Sequence, residues 1–243
     1  MVAANLLQGR TITLMALPTA DEDQITEIGA LATELGATVS SRINVDEQLV
    51  DVSNRQLVEE LGTRMRASAG ESVDIPATAD GYELMGRLLG FAVTTDKPGG
   101  AQMDKVAEEV IASLVTAELI EVDGGGVQQR GALVLVVAGE PEGSPDQRRG
   151  AGTIVAALSS ALDETGKGVV VAGPIESGAR DGVVGAVRRS RAASQVSTVD
   201  VTDREAGVVL TMQALASEDG GSAVHLGTSE SEDGAFPGAQ AGG

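Results

Sequence analysis

Short continuous apolar runs alternate along this chain with stretches whose apolar positions recur every three or four residues. Residues 11–17 (TITLMAL) form such a run and stop at Pro18, which predicts a buried strand. Residues 19–23 carry helix-start chemistry, with Asp21, Glu22 and Asp23 in a first turn where the helix dipole favours acids. Ile25, Ile28, Leu31 and Leu35 follow at helical spacing, Gly36 is placed to end the helix, and residues 37–45 read as a second strand. Strand, helix and strand in that order predict a parallel pair with a right-handed crossover.

Residues 46–129 read as a mainly helical insert. Leu57, Leu61 and Met65 share one helical face, Leu84, Leu88 and Phe91 a second, and Met103, Val106, Val110 and Leu114 a third. Residues 119–122 allow a short extra strand, and Gly124 to Gly126 mark a loop. Residues 132–138 (ALVLVVA) then form the longest apolar run, as expected of a strand covered on both faces. Ser144, Pro145 and Gln147 combine an N-cap, a first-position proline and a capping-box partner, starting a helix that extends to about Leu162. A strand over 168–172, a glycine-weakened helix over 178–191, a strand over 196–201 and a helix over 205–216 complete the pattern.

The fold class expected is therefore α/β: a doubly wound, mainly parallel sheet of about five strands with helices on both faces. The expected order is 2-1-3-4-5, with the insert between strands 2 and 3 and a switch point between strands 1 and 3. Residues 1–216 read as a single domain. Residues 217–243 are rich in Gly and Ser, hold five acids and no Lys or Arg, and read as a disordered tail.

Composition narrows the function. Across 243 residues the net charge is −19, which opposes binding to nucleic acid or to an anionic membrane surface. There is no Cys, so disulfides and thiolate chemistry are excluded. No apolar run approaches the ~20 residues of a membrane-spanning helix, three aromatics cannot build the girdles of a membrane barrel, and the first residues lack a signal-peptide pattern.

The candidate chemistry is sparse. Gly150 and Gly152 resemble part of a dinucleotide fingerprint, but the third Gly is missing and the strand ends too far upstream, so close helix packing explains them as well. Gly166, Lys167 and Gly168 superficially resemble a phosphate loop at the wrong junction and read as a helix end. Asp21, Glu22, Asp23, Asp200 and Asp203 are expected near the carboxyl ends of the strands, where open α/β sheets bind ligands. A hard cation is conceivable there, against the plainer reading of ordinary first-turn acids. Asp21, Gly139 and Asp200 define the candidate ligand cleft. His225 stands alone in the polar tail, and the methionines are scattered, so neither a catalytic triad nor a soft-metal site emerges. No residue set identifies an enzyme, and no catalytic, cofactor or metal residues are assigned.

Five blocks carry a family resemblance: LLQGRTITLMALPTADEDQI from Leu6, LGATVSSRINVDEQLV from Leu35, ALVLVVAGE from Ala132, VVVAGPIES from Val169 and VSTVDVTDREAGVVLTMQAL from Val196. In order and spacing they resemble the MctB family of actinobacterial envelope proteins over about residues 6–227. The resemblance implies an N-terminal membrane helix and a coiled coil preceding a domain like this one, an extracytoplasmic position, and homodimerisation through the coiled coil. It also implies copper transport with an outer-membrane channel role, and an association with septal cell-wall machinery. Three readings follow: a non-enzymatic scaffold that binds a protein partner through Leu57, Leu61, Leu84 and Leu88 of the insert; a copper transport component; and a small-ligand binder at the switch point.

Overall fold

The strands at 133–137 and 168–172 are apolar throughout because each presents alternate residues to two separate cores. The computed structural model describes residues 5–228. In chain order its elements are β1 (Thr11–Ala16), α1 (Glu22–Glu34), β2 (Thr38–Val45), α2 (Glu47–Val50), α3 (Arg55–Ala69), α4 (Gly81–Val93), β3 (Ala101–Gln102), α5 (Lys105–Thr116), β4 (Ile120–Val122) and β5 (Gln129–Arg130). They continue with β6 (Leu133–Val137), α6 (Pro145–Asp163), β7 (Gly168–Ala172), α7 (Val183–Arg188), β8 (Ser197–Val199), α8 (Glu205–Asp219) and β9 (His225–Leu226).

Among the described residues the main sheet has seven strands in the order β4-β2-β1-β6-β7-β8-β9, while β3 and β5 form a separate antiparallel pair. The expectation of about five strands is thus corrected, and the order over the whole sheet differs from the one expected. Its inner five strands follow the anticipated sequence, and an edge strand is added at each side. β4 pairs antiparallel with β2, whereas β9 pairs in parallel with β8. These edges are two or three residues long, too short for a periodicity to register.

Leu133, Leu135 and Val137 of β6 face one core with α1 and α8, whereas Val134 and Val136 face a second core built from α3 to α7. The helical insert is therefore half of the domain's larger core rather than an appendage. A Cβ on Gly86 of α4 would lie 2.7 Å from the Cβ of Ala161 on α6, so these helices touch nearly backbone to backbone.

Local signals account for several helix ends. Asp21 caps α1 by accepting from the Gln24 amide at 2.9 Å, and Gly36 follows with φ of 93°. Ser144 and Gln147 form the capping box of α6. The helix expected over 178–191 is only six residues long, Val183–Arg188. It starts late because Gly182 and Gly185 lie against the carbonyls of Ser177 and Ala179, which holds the preceding segment in a tight turn.

The tail boundary at 217 also moves. Helix α8 continues through Asp219, and β9 closes the sheet, so 217–228 belong to the fold. The rest of the anticipated tail lies outside the described residues.

Candidate functional site

At the carboxyl ends of β1 and β6 the chain leaves in opposite directions, to α1 on one face and α6 on the other. A cleft of about 290 Å³ opens there. The loops after the two strands touch: a Cβ on Gly139 would sit 1.5 Å from the carbonyl oxygen of Thr19, so only Gly fits. Glu47 and Asp51 line the cleft from the α2 side, and Glu142 and Asp181 from the later loops.

Among the described residues the cation lining the cleft is Arg148, and it is committed. Arg148 donates from Nε to Asp181 at 2.8 Å, donates again from Nη2 to the same carboxylate, and reaches the Gly143 carbonyl from Nη1 at 3.0 Å. The Arg148 hydrogen bond holds the Asp181 carboxyl below its ordinary range. A ligand here meets surplus carboxylate and a guanidinium already in use.

Of the three residues expected in this cleft, Gly139 alone lines it. Asp21 is the exposed cap of α1. Asp200 is fully buried at the end of β8, where it accepts from Arg188 at 3.3 Å and from the Thr228 amide at 3.0 Å. Arg188 also donates to the Thr198 hydroxyl at 2.7 Å and to the Leu226 carbonyl at 2.8 Å. This buried pair ties β9 to β8, and neither residue lines the cleft.

The expected partner platform is corrected in the same way. Leu61, Leu84 and Leu88 are buried at 8%, 2% and 0% exposure, and only Leu57 reaches solvent, at 40%. Their helical spacing is that of a core-facing stripe. His225 is likewise a core residue. Its Nδ1 pairs with the Thr198 hydroxyl at 2.8 Å and its Nε2 with the Ala193 carbonyl at 3.0 Å. Met15, Met65 and Met85 lie in one core and Met212 in the other. Among the described residues no group of three or more His, Asp or Glu is placed to hold a metal.

A second depression escaped the sequence reading. A groove of about 670 Å³ runs along the outer face of α6, between α4 and the α7 segment. Arg149, Thr153, Ala157, Ser160 and Glu164 recur at three- or four-residue steps, so its floor is one stripe of α6. Ala186 and Ala192 continue this low floor, and α7 can lie so close because a Cβ on Gly152 would come 2.6 Å from that of Ala186. Arg180, Arg189 and Arg191 form one wall. The two acids of the groove, Glu83 and Glu164, are both bonded by Arg87. Arg180 and Arg191 are exposed, and among the described residues neither meets a carboxylate.

A family model described as "Copper transport outer membrane protein, MctB" matches residues 1–237. No curated protein matches the chain. Among the described residues no helix is long and apolar enough to cross a membrane.

Proposed function

The chain belongs to the MctB family, and from that premise we propose that this domain is a non-enzymatic partner-recognition module of the cell envelope. It serves the family's copper transport role by docking another protein rather than by ligating the metal. The carrying observation is the α6 groove: long, open, low-floored and edged by exposed arginines. Arginine is enriched where protein surfaces meet, because its planar fork binds carboxylates and carbonyls bidentately.

Copper as cargo finds little purchase on the residues that could ligate it softly. Both His225 ring nitrogens are spent on internal hydrogen bonds, Met15, Met65, Met85 and Met212 are closed inside two cores, and the half-buried Met103 packs against the first of them. Capturing the ion on any of them requires opening the sheet edge or a core. An extracytoplasmic position, attachment through a preceding membrane helix, pairing of two copies through a coiled coil and work at the septal wall all belong to this proposal.

The test is calorimetric titration of the folded domain with Cu(I) and with Cu(II), with bound metal counted by mass. The expected result is no stoichiometric binding tighter than about micromolar. One-to-one binding below that range replaces docking with direct copper carriage. A second reading, a small ligand in the switch-point cleft, is supported by the placement of Gly139 and by the cleft's volume. It predicts protection of residues 139–143 from hydrogen exchange when that ligand is added.

A further inference from the structure

The chain holds 36 acids and 17 Lys or Arg, so an average surface carries about two carboxylates for every cation. The α6 groove inverts that ratio. Four arginines line it against two glutamates, and the glutamates are already engaged from behind by Arg87. Arg149 shares an exposed bond with Asp146, while Arg189 spends part of its fork on the Ala179 and Arg180 carbonyls, which sets the wall's position. That leaves Arg180 and Arg191 exposed with no carboxylate partner among the described residues, on a protein with acids to spare.

Shape narrows the occupant. From Arg149 to Glu164 the helical stripe is roughly 22 Å long at 1.5 Å per residue. An extended peptide of six or seven residues spans the same length at about 3.3 Å per residue. The floor offers methyl groups and short hydroxyls (Thr153, Ala157, Ser160), which admit a backbone lying close but offer no deep pocket for a large side chain.

We infer that the groove binds an extended acidic segment of a partner protein, its carboxylates seated on Arg180 and Arg191 and its backbone on the α6 stripe. This rests on the partner-recognition reading and specifies the partner's chemistry. Long-range repulsion from the −19 net charge disfavours an acidic ligand everywhere else on the surface, so the groove's cations also select where it lands.

The test is fluorescence anisotropy of a labelled peptide of alternating Glu and Gly, eight residues long, against the folded domain. The expected result is saturable binding that weakens by about tenfold or more in the Arg180→Glu/Arg191→Glu variant, since each reversal replaces a charge-assisted contact with a like charge. A Lys97→Glu/Lys105→Glu variant, reversing two cations elsewhere, keeps the wild-type affinity. Circular dichroism confirms that both variants are folded. No peptide binding overturns the inference, as does equal binding by the arginine variant. Displacement of the peptide by equimolar inorganic pyrophosphate also overturns it, in favour of a small-anion site. If the peptide fails but a photoreactive residue at Ala157 still captures a protein in the cell envelope, the acidic-segment inference falls and the partner-recognition reading stands.

Discussion

Arg148 and Arg149 are neighbours in sequence, yet they look into different depressions. Arg148 points into the switch-point cleft and is sealed onto Asp181 and the Gly143 carbonyl. Arg149 points into the groove with its side chain 57% exposed. The contrast repeats one element later: the Arg188 side chain is 3% exposed and clamps Asp200, while Arg191 lies open. In the cleft, Arg148 is consumed in holding loops together. In the groove Arg149 keeps only an exposed bond to Asp146, and Arg180 and Arg191 lie exposed. The place where α/β sheets usually bind their ligands is therefore the more self-satisfied of the two, and the unusual place is the available one.

The sharpest way to break this comparison is at the sealed arginines. Arg188→Ala leaves Asp200 buried without its cation and should cost about 3–5 kcal/mol in denaturant unfolding. Arg191→Ala should stay within about 0.5 kcal/mol, as exposed substitutions do. Comparable losses at both positions would erase the distinction.

A second large effect concerns carboxylates sealed in the same manner. Glu218 is buried and accepts from the Ser197 amide; burial, with Asp163 adding repulsion, pushes its pKa up to about 7. Burial also raises Asp163, to about 6. A carboxyl whose folded pKa lies above its unfolded value holds its proton more tightly when folded, so stability falls as pH rises between the two values. From about pH 4.5 to 7 the domain should lose on the order of 3 kcal/mol through Glu218, and Glu218→Gln should flatten that decline. A stability that rises over this window would contradict the assignment.

Next comes the floor of the groove. Gly152→Val should push α7 off α6, costing about 1–3 kcal/mol by overpacking, and should weaken acidic-peptide binding together with stability. The smallest effect is expected in the cleft. Asp181→Asn keeps an acceptor for Arg148 and removes one charge, so the thermal unfolding midpoint should shift only slightly, with no change in peptide affinity.

The inner sheet was legible because continuous apolar strands and capped helices leave strong local signatures. ALVLVVA at 132–138 and the Ser144 capping box are examples. Of the edge strands, β4 falls within the short strand allowed at 119–122, whereas β9 was not legible, since it is two residues long and His225 sits in a stretch whose composition resembles a tail. Leu61, Leu84 and Leu88 showed how an apolar stripe can be read as a platform when the sheet it covers lies far away in sequence. The groove is a tertiary product: Arg149, Arg180 and Arg191 meet only after α6 and α7 pack. A signal did exist, because seven Lys and Arg outnumber four acids between positions 148 and 191, against the trend of the whole chain.

The most direct test of the central claim places a photoreactive residue at Ala157 in the groove and, separately, at Ala151 in the cleft, on opposite sides of the same helix in the intact protein in its own envelope. The account predicts one discrete protein adduct from Ala157, lost in the Arg180→Glu/Arg191→Glu background, and none from Ala151. Capture from Ala151 alone, or an Ala157 adduct indifferent to the two arginines, would contradict it.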